Sequence, residues 1–149
     1  MSTFTLNLYS DYILSIKRGN GIHGKSKAKP LFVLSIIECI SLNALTTNQI
    51  KWDDKNLNNW YKRLNTKYDK SNKSSMIMPF YHISSSSFYH FIWKNKERPP
   101  IGGHTPSAKY LRENLLYAKL DDELWELLQD SDNREYLRTK IIKNYLTKE

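Results

Sequence analysis

The chain has one cysteine, Cys39, among 149 residues. That excludes an intramolecular disulfide framework and any zinc site built from several cysteines. No apolar run approaches the ~20 residues of a membrane span. The start, Met1-Ser2-Thr3-Phe4, lacks the basic segment and apolar core of a signal peptide. These absences predict a cytoplasmic protein with no membrane partner. Catalytic signatures are missing too. No serine stands in a Gly-x-Ser-x-Gly elbow. Gly19-Asn20-Gly21-Ile22-His23-Gly24-Lys25 has glycines and a lysine but not P-loop spacing. Cys39 lies in an apolar run, where a thiolate is disfavoured. No cluster of carboxylates or HNH-type histidine–asparagine set is recognisable that would hold an ion and activate water. Of the four histidines, His23, His82, His90 and His104, the pair His82 and His90 has no cysteine or carboxylate nearby to complete a ligand set. The expectation is a non-enzyme with no metal and no cofactor.

Acidic residues are scarce in the first two-thirds. Residues 1–100 hold 15 basic and 6 acidic side chains, whereas residues 101–149 hold 8 and 9. The overall charge of +8 is therefore concentrated where a polyanion would be met. A solvated basic surface that aids solubility is the plainer explanation, but it does not require such asymmetry.

The length is that of one domain, expected to span 1–149. Helical spacing runs from Phe4 to Arg18 through Leu6, Tyr9, Ile13 and Ile16, and Gly19-Asn20-Gly21 stops it. A basic loop follows. Pro30 suits the first turn of a helix, and Leu31 to Leu42 is apolar nearly all round, which predicts a central buried helix ending near Asn43. Asp53 or Asp54 can cap a third helix with Leu57, Trp60, Tyr61, Leu64 and Tyr68 on its inner face. After the polar stretch 69–75 the period changes to 2. Met76–Ile83 and Phe88–Lys94, separated by Ser84–Ser87, read as a β-hairpin over 76–94. A basic loop rich in proline and glycine spans Lys94–Gly103. Helical spacing returns from Ser107, giving a helical region over 105–146. The expected class is α+β: a mostly helical, winged-helix-like domain with one β-hairpin and a C-terminal helical part. Such a plan presents a helix to a DNA groove and a wing to the backbone, and it also serves as a protein-interaction or regulatory module.

What remains for chemistry is a binding surface. His23, Lys25, Lys27 and Lys29 form one basic loop. Tyr81, His90, Lys94, Lys96 and Arg98 belong to a second cluster, aromatic and basic together. Core packing accounts for half of its rings, and the exposed half, interleaved with cations, suits nucleic acid. These nine residues are the expected DNA contacts.

Three segments together resemble the N-terminal domain found on many HNH-type restriction endonucleases, whose best understood branch is the sulfur-binding domain. They are Lys29-Pro30-Leu31-Phe32-Val33-Leu34; Met78-Pro79-Phe80-Tyr81-His82-Ile83 with Phe88-Tyr89-His90-Phe91 after four serines; and the run from Ser107 to Leu146. The resemblance covers about residues 10–146. It implies a reader of phosphorothioate-modified duplex DNA in a restriction or phage-defence system. Sulfur is larger, softer and less tightly hydrated than oxygen, so an apolar notch beside a cation can prefer it. By this resemblance Met78, Pro79 and His82 form the sulfur pocket, and Lys29 with the basic residues before it supports the phosphate. The chain departs from the family at Met78, where tyrosine is usual, at His82, where a small residue is common, and at Ala28, where histidine is common. The resemblance further implies either a stand-alone reader or part of a longer enzyme, with the nuclease supplied by another chain or by a C-terminal part.

Overall fold

The computed structural model describes residues 3–21, 24–72 and 74–147. Helix α1 (Thr3–Ile13) leads through β1 (Asn20–Gly21) and β2 (Gly24–Lys25), a two-residue antiparallel pair. Gly24 has φ 107°, a conformation that a side chain would disfavour and that lets the chain double back so that Lys25 pairs with Asn20. Next come α2 (Ala28–Ser41) and α3 (Lys55–Tyr68).

Helix α2 is the centre of the molecule. Leu31, Phe32, Leu34, Ile36, Ile37 and Cys39 are all fully buried, as expected of a helix apolar on every side. Pro30 sits in its first turn, and Asn43, with φ 56°, follows its end. Burial pushes the Cys39 thiol up to about 12, with Asp54 and Glu38 adding to it, so Cys39 is a packing residue. Helix α3 is capped by Asp54, whose carboxylate accepts from the Leu57 N–H at 3.0 Å. It buries Leu57, Tyr61 and Leu64.

The segment expected to form the first hairpin strand is a helix instead. Ile77–His82 is α4, followed by a turn of 3-10 helix at Ile83–Ser85. Met76, Pro79, Phe80 and Ile83 are the buried positions, at intervals of three and one, which is helical spacing. The aromatic and branched composition mimicked a strand. Pro79 argues against a ladder-forming strand, since it has no N–H to give, whereas the first turn of a helix leaves that N–H unpaired anyway.

Strand β3 (Tyr89–Trp93) does form, but its partner lies much further along the chain. After α5 (Ala108–Asn114), Leu115–Leu120 is strand β4, antiparallel to β3. This corrects the expectation of a wholly helical region over 105–146. The ladder pairs His90 with Lys119 and Ile92 with Tyr117, then Trp93 with Leu115. Leu116 is thus the extra residue of a bulge, and its side chain is exposed. The far edge of β4 is finished by Ile50, which exchanges backbone hydrogen bonds of 2.7 and 2.8 Å with Ala118. The Asn48 side chain does the same for Leu120, donating to its carbonyl and accepting from its N–H. Helices α6 (Asp122–Leu127) and α7 (Ser131–Ile141) close the fold, with a π-helical turn at Ile142–Leu146.

The α+β class is therefore borne out, with the wing expected at 76–94 replaced by a helix and a strand paired from a distance. One buried cluster joins the elements. At its heart Phe32, Phe80 and Tyr89 meet edge to face at about 6 Å. No helix among the described residues is long and apolar enough to cross a membrane.

Candidate nucleic-acid interface

The start of α2 and the exposed side of α4 meet at a small cavity. Its volume is about 260 Å³, and Arg18, Ser26, Ala28, Lys29 and Met78 line it with Gly19 and Asn20. Two cations and a thioether thus share one recess. The Lys29 ammonium donates to the Lys17 carbonyl at 2.6 Å. Burial and the Lys17 charge hold it below its ordinary pKa. No carboxylate among the described residues pairs with Lys29 or Arg18. The Arg18 guanidinium lies 4.7 Å over the Tyr145 ring and reaches the Ser26 carbonyl at 3.5 Å. Cations oriented by carbonyls and rings keep their charge for an incoming anion.

Met78 and His82 stand one turn apart on α4, which brings them to the same side of the helix. His82 shares a 2.8 Å hydrogen bond with Thr105 Oγ1. Burial, and then the Lys29 charge, hold His82 below its ordinary value. Pro79, the third residue expected in the pocket, is buried and does not line the cavity. A hairpin would have sent Met78 and Pro79 to opposite faces, whereas the helix sends Met78 outward and Pro79 into the core.

The other expected contacts divide between several places. Lys25 is exposed on β2. The Lys27 ammonium donates to the Tyr68 carbonyl at 3.3 Å, tying the end of α3 to the start of α2. His23 lies outside the described residues. Tyr81 stacks on Phe91 at 5.5 Å with 12° between the planes, and Phe91 leads on to Trp93 at 5.2 Å. The Arg98 guanidinium lies 3.9 Å over Trp93, with Lys96 exposed beside it. Lys94 is anchored on the Arg112 carbonyl at 2.8 Å.

His90 is separated from these rings by strand alternation, which turns it to the opposite face of β3 from Phe91 and Trp93. There its Nε2 donates to Asp121 Oδ1 at 2.5 Å, while the Tyr9 hydroxyl donates to Oδ2 at 2.8 Å. Asp121 and Asp122 make that corner acidic, relieved by a 2.9 Å pair between Lys119 and Asp122. Burial and the Asp121 contact raise the Tyr9 phenol well above its ordinary value. A phosphate is less welcome here than at Lys29.

Arg18, Asn20 and Ser26 are the lining residues that sequence reasoning missed. The available signal was the run Lys17-Arg18-Gly19-Asn20-Gly21, where a basic pair meets a turn. Among the described residues no group of three histidine, cysteine or acidic side chains could hold a metal ion.

No protein-family model matches the chain, and no curated protein matches it. Solved structures do. The fold is similar to the sulfur binding domain of ScoMcrA complexed with phosphorothioated DNA, with a TM-score of 0.70 and 13% identity over 92% of this chain and 86% of that one. It is also similar to the sulfur binding domain and SRA domain of ScoMcrA complexed with phosphorothioated DNA, with a TM-score of 0.68 and 14% identity over 97% of this chain. This chain covers 43% of that longer one. At such identities the likeness is one of fold.

Proposed function

We propose that the chain is a non-catalytic DNA-binding domain that recognises phosphorothioate-modified duplex DNA. The observation that carries this is the recess where Lys29 and Arg18 flank the Met78 thioether, in a fold shared with a sulfur binding domain complexed with such DNA. In this reading Lys29 and Arg18 take the anionic oxygens of one backbone linkage. Met78 covers its sulfur, supplying the apolar, polarisable wall that oxygen does not need. His82 closes the far side next to Lys29. Pro79 acts from below, fixing the turn that presents Met78. Lys25 and Lys27, and His23 with them, extend the phosphate track. Tyr81, Lys94, Lys96 and Arg98 form its other end, while His90 has a structural role with Asp121. The setting is a cytoplasmic restriction or defence system in which a nuclease, on another chain or a further domain, cuts what this domain finds.

The deciding experiment compares matched duplexes carrying no sulfur or one phosphorothioate of either stereochemistry. Burying one sulfur removes about 40 Å² from water, or about 1 kcal/mol, which is about fivefold in affinity. One stereoisomer is expected to bind at least that much more tightly than plain phosphate. Met78→Ala should abolish that preference while leaving plain-duplex affinity within about twofold. Equal binding of both isomers and the unmodified duplex would remove sulfur recognition and leave a general DNA binder. No duplex binding at all would favour docking of a partner protein.

A further inference from the structure

A second depression, of about 500 Å³, opens between α4, β3 and the loop that follows β3. Tyr81, Phe91, Trp93 and Tyr110 supply its rings, and Lys96 and Arg98 stand on its lining. The loop is fastened over it by a hydrogen bond from the Tyr110 hydroxyl to the Pro99 carbonyl. No carboxylate lines the cleft. Among the described residues none pairs with Lys96 or Arg98 either. Arg98 donates to the carbonyls of Asn95 and Lys96, at 3.3 and 3.4 Å. Its flat guanidinium rests 3.9 Å over the Trp93 indole, which marks a slot for a planar group.

We infer that this cleft holds one unpaired nucleotide, with the base against Trp93 and the phosphate on Arg98 and Lys96. The rings favour any base face, because stacking is tolerant of sequence. The two cations, neither paired with a carboxylate among the described residues, favour a phosphate over a neutral ligand, since the charge-assisted bond is the stronger one. A paired base has both faces covered by its neighbours and cannot use the cleft. The occupant is therefore a nucleotide at a single-stranded end, a bulge or a locally opened step. Arg98 leaves the indole to make room and turns onto the phosphate. The size of the cleft is within the range of small-ligand sites. This inference deepens the DNA-binding reading, but it uses a different part of the surface from the Met78 recess and stands or falls separately.

The test is a titration of the full chain with single-stranded hexathymidylate, read by tryptophan emission and by the anisotropy of a labelled oligonucleotide. Saturable quenching is expected. Trp93→Phe keeps a ring in the slot and leaves Trp52, Trp60 and Trp125 as emitters. In that variant the quenching should vanish while binding by anisotropy stays within about threefold. Arg98→Ala should weaken binding about tenfold without lowering the melting temperature. Quenching that persists in Trp93→Phe, or unaltered binding by Arg98→Ala, overturns the inference, as does failure to bind the hexamer at about 50 mM salt. Hexamer binding by a chain that ignores duplexes would count against the duplex reading alone and leave the cleft assigned.

Discussion

Lys29 is positioned by a backbone carbonyl, and that choice governs what its neighbours can do. A carboxylate partner would have neutralised it; the Lys17 carbonyl orients it and leaves the charge intact. The cost falls on His82, which burial and Lys29 together hold below its ordinary value of 6.5. As the pH falls through about 6.5 the unfolded chain takes up a proton at this position before the folded one does. Stability therefore declines with falling pH until the folded histidine also titrates, and it is fully retained above 6.5. His82→Gln should remove this part of the decline, visible as a shallower loss of melting temperature between about pH 7 and pH 5. Identical slopes in the two proteins would contradict the assignment. Lys27 tells a different story from the one its sequence suggests. It looked like one more cation in a basic loop, yet its ammonium caps the last carbonyl of α3. Lys27→Ala should lower stability by about 0.5–1 kcal/mol in chemical denaturation. Its effect on DNA binding should be smaller than that of Lys29→Ala. Nothing in the local sequence distinguishes Lys27 from Lys25, because the difference is made by where Tyr68 arrives.

Elements whose patterning agreed with a single period were legible. The central helix α2 declared itself by being apolar on all sides, and α3 by a cap followed by a clean inner face. Asp54→Ala should cost about 1 kcal/mol, since it orphans the Leu57 N–H, and Asp53→Ala much less; urea unfolding of the two variants separates them. Segments where composition and spacing disagreed were misread. In Met76–Ile83 the residue types spoke for a strand and the intervals for a helix, and the intervals were right. In Leu115–Leu120 the reverse held. A bulge at Leu116 breaks the alternation that would have revealed a strand, and the neighbouring apolar residues filled in a helical pattern. The pairing of β3 with β4 skips an intervening helix and a long loop, so no local turn signal announces it. The candidate site suffered from the same error. Only the helical form of α4 sets Met78 and His82 on one side and withdraws Pro79.

At the scale of the molecule, charge asymmetry has the advantage that it does not depend on which element a residue joins. The acidic corner at Asp121–Glu123 and the cationic recess at Lys29 lie on different parts of the surface, as the division between residues 1–100 and 101–149 anticipated. If about five phosphates are neutralised, the log–log dependence of duplex affinity on salt should have a slope of about −4 to −5. The combined change of Lys25, Lys27 and Lys29 to alanine should flatten it by about one unit for each lost contact. A slope near zero in the parent protein would show that phosphates are not what it meets. The recess also depends on the far end of the chain. Arg18 leans on Tyr145, whose hydroxyl donates to the Ile13 carbonyl at 2.6 Å and accepts from the Ile16 N–H. During synthesis, then, the first helix and the arginine that follows it wait for a tyrosine made more than a hundred residues later. A nascent chain stalled short of Tyr145 would carry the basic sequence without the assembled recess, which can close only once that tyrosine has left the ribosome.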